Sequence, residues 1–189
     1  GDLAAIGTIA DIMLLEGENR RIVKAGLALL QQTERPGIAA LIETCGLGGK
    51  ELTAENVSFG LAPRLNAAGR MDSAAAALEL LLCEDPEEAE AIVAGLEAQN
   101  AARQKAEQDI LQGVLDSVAA DETYGADRIL VVWGRGYHQG VIGIVASRVV
   151  ERFGKPAIIV SVDENGEGKG SGRSIAGVSL YNALSLIHI

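Results

Sequence analysis

The stretch from Arg128 to Ser174 constrains the fold more than any other part of the chain. Arg128–Trp133 (RILVVW) is rich in β-branched and aromatic residues and reads as a strand. A glycine loop follows, then a helical pattern from Val141 to Phe153, which Pro156 breaks. Ala157–Val162 (AIIVSV) is a second strand, and the turn over 163–168 leads into a glycine-rich strand at 169–175. Strand, helix and strand at this spacing predict a β-α-β unit with a hairpin extension. Aromatic residues make up only 3% of the chain, so its core must be built from Ala, Val, Ile and Leu, which let helices pack closely.

Upstream the patterning is helical. Residues 3–15 are apolar except for Gly7, Thr8 and one carboxylate, Asp11, and their length and alanine content predict a buried helix. Glu18–Gln32 is amphipathic, with Ile22, Val23, Leu27 and Leu30 on one side. Pro36 opens a helix that Gly46 ends, and Thr53 caps a short helix reaching Leu61. Pro63 forces a turn or kink, so 63–72 (PRLNAAGRMD) is expected to be a loop, followed by a helix over 73–82. Asp85-Pro86-Glu87-Glu88 starts a long helix running to Val118. That helix is apolar at both ends and polar over 99–109, the pattern of a connector between two lobes rather than of a coiled coil. The expected class is α/β: a helical lobe over 1–84, a connector helix over 85–120 and a small α/β lobe over 121–189.

The formal net charge of −10 excludes a generic nucleic-acid coat. The charge is uneven, with 2 basic and 11 acidic residues over 85–127 but 7 basic and 4 acidic over 128–173. Screening over about 10 Å lets such a local basic surface hold an anion on an acidic protein. No apolar run is long enough for a membrane span, and no stretch reads as a signal peptide. Cys45 and Cys83 lie outside any metal-ligand spacing and are expected to be reduced thiols in the cytoplasm. The first residue is Gly1, and the last five, Ser185 to Ile189, stop in mid-pattern. Both ends suggest a piece of a longer protein, with His188 as a candidate scar.

Four stretches carry candidate chemistry. Asp11, inside an apolar run, is either a ligand to a hard divalent cation or a carboxylate that caps a helix or pairs with an arginine. Arg64 and Arg70 bracket Asn66 and small residues, and could clamp a phosphate or a base edge; surface arginines with Asn66 in a turn would give the same pattern. Between Gly134 and Arg148 a strand gives way to a glycine loop and a helix N-terminus, an anion-binding arrangement. His138 lies in that loop and Arg148 two turns into the helix. The loop lacks the Lys-Ser/Thr ending of a P-loop and is not Gly-x-Gly-x-x-Gly; the alternative is a purely structural β-α turn. In 169–174 (KGSGRS), Lys169, Ser171, Arg173 and Ser174 flank glycines, which in a strand signal the close approach of a backbone or ligand; the alternative is a flexible solvated hairpin. Only Trp133 and Tyr137 lie near these motifs as aromatics, so base stacking is a minor contributor.

Taken in order, 2–11 (DLAAIGTIAD), 62–70 (APRLNAAGR), 138–148 (HQGVIGIVASR) and 170–174 (GSGRS) resemble RecJ-type single-stranded-DNA exonucleases of the DHH phosphoesterase superfamily. The resemblance runs to about Leu184. It implies two lobes joined by a long helix: a two-metal lobe using Mn²⁺ or Mg²⁺, and a DHH-associated lobe that holds the nucleic acid. It implies 5′-to-3′ hydrolysis of single-stranded DNA in recombination and repair, with other repair proteins as further partners. Asp11 then corresponds to a metal-binding, catalytic aspartate. Arg70, His138, Arg148, Ser171 and Arg173, with Arg64 and Asn66, correspond to contacts to the strand. The family's Asp-x-Asp and Asp-His-His motifs are not in this sequence, so the chain alone is expected to be inactive. Rival readings are an oligoribonuclease or cyclic-dinucleotide phosphodiesterase of the same superfamily, and a non-catalytic nucleic-acid-binding subunit.

Overall fold

The computed structural model describes residues 1–121 and 123–185; Glu122 and the last four residues, His188 among them, lie outside the described residues. Two compact units divide the chain, Gly1–Ala102 and the remainder from Arg103. Among the described residues no helix is long and apolar enough to cross a membrane, and both cysteines are free, half-buried thiols.

The first unit is helical. It holds α1 (Asp2–Ala10), α2 (Gly17–Gln31), α3 (Pro36–Thr44), α4 (Ala54–Asn56), a π turn at Val57–Leu61, α5 (Ala62–Met71), α6 (Ala75–Leu82) and the start of α7 (Pro86–Ala120). Ile6, Ile9, Val23, Leu30, Ile38, Leu41, Leu61, Leu80, Val93 and Leu96 form its core. Caps fix the helix starts. The Thr53 hydroxyl accepts from the Asn56 N–H while the Asn56 side chain takes the Thr53 N–H. Asp85 Oδ1 accepts from the N–H groups of Glu87 and Glu88 at the head of α7.

Two expectations fail here. The buried helix over 3–15 ends at Ala10, and the residues after it, Asp11 to Leu14, are exposed. Residues 63–72 are mostly helix rather than loop. Pro63 sits in the first turn of α5, where its missing N–H is least costly. The π turn before it, closed by the Ala62 N–H to the Val57 carbonyl, lets the chain stay helical through the proline.

The second unit contains the rest of α7, then α8 (Thr123–Ala126), β1 (Leu130–Arg135), α9 (Ile142–Phe153), β2 (Ala157–Val162), β3 (Gly168–Arg173) and α10 (Leu180–Ser185). The sheet order is β1-β2-β3, with β1 and β2 parallel and β2 and β3 antiparallel. This is the β-α-β unit and hairpin expected from the sequence. Register puts Leu130, Ala157 and Arg173 in one row, and Val132, Ile159 and Ser171 two rows along, on the same face. Residues in a row share a face, because side chains alternate along a strand. Leu130, Val132, Ala157 and Ile159 are buried with Val145, Ala146 and Val149 of α9 and with Ile110 and Val114 of α7.

Close backbone contacts in the first unit give a test. A Cβ on Gly37 would lie 1.8 Å from the Leu80 carbonyl oxygen, whereas one on Gly95 meets nothing within 4 Å. Gly37→Ala should lower unfolding free energy by about 3 kcal/mol through overpacking, and Gly95→Ala should raise it by about 0.5–1 kcal/mol. Urea titrations of the two variants, followed by circular dichroism, check both signs.

Candidate nucleic-acid interface

In the second unit the site is built where α9 begins and β3 ends. Gly136, in the left-handed region at φ 74°, turns the chain out of β1. The His138 carbonyl accepts from the N–H groups of Val141 and Ile142, which starts α9. The Gly140 N–H donates to His138 Nδ1 at 3.2 Å. That bond fixes His138, when neutral, as the tautomer carrying its proton on Nε2, a donor available to an anion.

Gly143, in the first turn of α9, faces β3. A Cβ there would lie 3.0 Å from Ser171 Oγ and 3.1 Å from Arg173 Nη2. The glycine therefore lets the hydroxyl and the guanidinium come up to the helix N-terminus, the positive end of its dipole, where the Ile142 and Ile144 N–H groups are already taken by the His138 and Val141 carbonyls. Arg173 donates from Nη1 to Ser171 Oγ at 3.2 Å and to the Gly172 carbonyl at 2.8 Å, which holds the guanidinium along its strand. These bonds leave Nη2 facing the helix end. Ser174 does not join the group in this way, because its hydroxyl donates to the Val178 carbonyl and closes the turn after β3.

The β3 glycines have a different cause from the one expected. Gly168, Gly170 and Gly172 alternate with Lys169, Ser171 and Arg173, so they point to the opposite face of the sheet. There a Cβ would press on Val160 at 3.1–3.3 Å and, from Gly172, on Leu180 at 3.1 Å. Side chains of β2 and α10, rather than a ligand, make the close approach on that face.

Arg148 is carried away from this group. It lies five residues beyond Gly143 in α9, about 140° around the helix. Its Nε donates to Glu107 on α7 at 3.3 Å, and Nη1 stands 3.8 Å from Glu151. Glu107 also accepts from Arg103 at 2.8 Å. Glu107 was not among the sequence candidates: its spacing from Arg103 is a helical i,i+4 pair, but the link to Arg148 crosses 41 positions. Tyr137 is anchored as well as placed near the site. Its ring lies over Gly134, its hydroxyl approaches Gly113 of α7, and its carbonyl accepts from the Ser161 hydroxyl.

In the first unit Asp11, Asn66 and Arg70 converge. With Gly7 and Ala10 they line an open depression of ≈ 470 Å³. Asn66 and Arg70 share a helix face because α5 separates them by one turn. Arg64 lies on the far side of α5 and is engaged elsewhere: Nε and Nη2 donate to the two Glu97 carboxylate oxygens, and Nη1 to the Gly60 carbonyl. Asp11 is exposed at the C-terminal end of α1, so no desolvation cost forces a partner upon it. Its carboxylate fits one ligand position of a hard divalent cation, with Asn66 beside it as an oxygen donor. Among the described residues no three His, Cys, Asp or Glu side chains gather into a metal site.

The α/β lobe carries a sequence match to the DHHA1 domain family over residues 126–188. The similarity extends well beyond the domain. The chain is 45% identical over 186 residues to the single-stranded-DNA-specific exonuclease RecJ of Bacillus subtilis, covering 97% of this chain and 23% of the relative. It is 42% identical over 183 residues to RecJ of Thermus thermophilus, covering 97% and 26%. The Mn²⁺ complex of RecJ from Thermus thermophilus superimposes with a TM-score of 0.84 at 40% identity, over 97% of this chain and 26% of that one. A structure of exonuclease RecJ bound to manganese gives 0.82 at 41%, over 97% and 44%. Sequence and fold are thus similar to RecJ over 97% of this chain. It spans between a quarter and a third of the length of most of the curated relatives it matches.

Burial raises the pKa of the Tyr137 phenol above its ordinary value. The protonated ring is thus favoured by folding. Its contribution to stability is present below the usual tyrosine value of about 10 and is lost as pH rises through the higher folded value. Gly134→Ala places a methyl within 2.2–2.6 Å of that ring. It should destabilise the second unit by about 1–3 kcal/mol and bring the Tyr137 titration down. Alkaline difference absorbance of tyrosinate, with thermal melts at pH 8 and 10.5, would measure both.

Proposed function

We propose that this chain is the segment of a RecJ-type exonuclease that joins its metal-dependent lobe to its strand-holding lobe. Residues 1–84 are then the end of the DHH lobe, 85–120 the connector and 121–189 the DHH-associated lobe. The intact protein degrades single-stranded DNA from the 5′ end, acts in the cytoplasm in recombination and repair, and meets other repair proteins there. The observation that carries this reading is the approach of Ser171 and Arg173 to the first turn of α9 at Gly143. It makes a small, directional phosphate seat on a chain similar to RecJ along its length.

The residues divide the work. Arg173 and Ser171 donate to a phosphate oxygen, with the α9 N-terminus behind them. His138 offers Nε2–H from the same loop. These groups grip the backbone and read no base, which fixes the register of the strand without sequence preference. Asp11 supplies one carboxylate to Mn²⁺ or Mg²⁺, and Asn66 and Arg70 orient the phosphate beside it. When bound, the divalent cations supply Lewis acidity for attack of water on the phosphodiester. Arg64 and Arg148, paired with Glu97 and Glu107, chiefly hold their helices.

The test is made in the RecJ-length protein. It should cut 5′-phosphorylated single strands to mononucleotides and leave blunt duplex and dinucleotides largely untouched; a preference for dinucleotides would overturn the reading. Asp11→Asn should reduce turnover by about 100-fold or more, as loss of a metal ligand does, with single-strand affinity kept within about twofold. Arg173→Ala should weaken binding by about tenfold, the scale of a charge-assisted hydrogen bond. It should also lower the slope of log affinity against log salt by about 0.7. Arg64→Ala should leave both unchanged and lower the melting temperature.

A further inference from the structure

After α1 the chain makes a tight, hydrogen-bonded turn. The Ile12 N–H donates to the Ile9 carbonyl and the Met13 N–H to the Thr8 carbonyl, the paired bonds of a Schellman cap. The Asn19 amide holds the Leu14 carbonyl at 3.0 Å. Such a cap needs a left-handed residue, and where helices end this way the position usually belongs to glycine. Here it is Ile12, at φ 54°, the only non-glycine residue with positive φ among the described residues. A β-branched side chain in that conformation is strained. Within this chain the strain gains nothing, since Ile12 is 87% exposed, and its neighbours Met13 and Leu14 are 48% and 77% exposed. Strain of this kind persists where the side chain it presents has a use.

We propose that Ile12, Met13 and Leu14 form a rigid apolar knob that seats an apolar polypeptide segment from the part of the RecJ-length protein outside these 189 residues. The inference rests on the RecJ reading. Two observations select that occupant. The aligned part of this chain amounts to 23–33% of the curated relatives, so most of such a protein lies elsewhere. The knob is apolar, without an aromatic ring to stack on a base or a cation to hold a phosphate. Because Asp11 immediately precedes the knob at the C-cap of α1, seating it also fixes where that carboxylate stands. The knob is therefore a positioning device for the Asp11 depression rather than a contact to substrate.

Two measurements on the RecJ-length protein test this. First, Ile12→Cys and Leu14→Cys are reacted separately with a maleimide, and labelling at each position is read by peptide mass spectrometry. Labelling should be at least about 100-fold slower than in urea, both with and without single-stranded DNA, as for a side chain covered in the native state. Fast labelling without DNA overturns the proposal, and protection that appears only with DNA assigns the knob to the strand instead. Second, Ile12→Gly relieves the backbone strain while deleting the side chain. A lowered melting temperature supports a seated knob, and a raised one overturns it. Nuclease activity of wild-type protein on single strands is measured in parallel. Activity with a freely labelled knob rejects this inference alone, and absence of activity rejects the RecJ reading.

Discussion

The strictest constraint in the second unit is the two-residue period of β3. One face must be nearly flat, because Ile158, Val160 and Leu180 press against it, and glycine at 168, 170 and 172 is what makes room. The other face must carry Lys169, Ser171 and Arg173 toward α9. A one-residue slip would exchange the faces, burying cationic and hydroxyl groups against aliphatic side chains and turning bare glycine toward the helix. Register therefore places the polar atoms, and Gly143 sets how closely the helix end approaches them. Neither the sheet nor the helix makes the seat alone.

Helix α7 provides the second organising element through two carboxylates. Glu97 takes a two-pronged contact from Arg64 of α5 within the first unit. Glu107 takes Arg148 of α9 and Arg103 of its own helix within the second. Ion pairs of this kind are worth little when fully solvated. Here Arg64 and Glu107 are largely covered, with side chains 18% and 14% exposed, so their geometry is held more firmly than in an open surface pair. Arg64 and Arg148, which stand in nucleic-acid-like motifs, are engaged by these carboxylates, Arg148 while remaining 57% exposed. The motif arginine that keeps an exposed position beside a helix N-terminus is Arg173.

Much of this was legible from residue patterns, and the failures share a cause. The β-α-β unit with its hairpin followed from β-branched runs and glycine punctuation, and the start of α7 from the Asp85-Pro86 cap. The segment 63–72 was misread because proline, asparagine and glycine mark loops locally, whereas the π turn at 57–61 that admits Pro63 into a helix is set by the chain before it. Once that segment is helical, Asn66 and Arg70 fall together and Arg64 falls on the other side. Its partner Glu97 is 33 positions away, a separation no local pattern encodes. Asp11 was judged as a buried carboxylate because its neighbours are apolar, but those neighbours, Ile12 to Leu14, are themselves exposed. Apolar composition predicts burial only when the surface that would cover it belongs to the same chain.

The electrostatics follow from the same separation of local from global. On the proposed reading a protein segment with a net charge of −10 must hold a polyanion. Long-range attraction cannot do this, since charges beyond about 10 Å are screened at physiological salt. Arg173, Ser171 and the first turn of α9 act within hydrogen-bonding distance, where direction and shape count for more than net charge. An acidic body then has a consequence for selectivity. It weakens non-specific adsorption of duplex along the surface while leaving the single seat intact, so discrimination rests on whether a phosphate can enter beside Gly143. A flexible single strand can present a lone phosphate there; a stiff duplex brings a second backbone that the same narrow approach must admit with it.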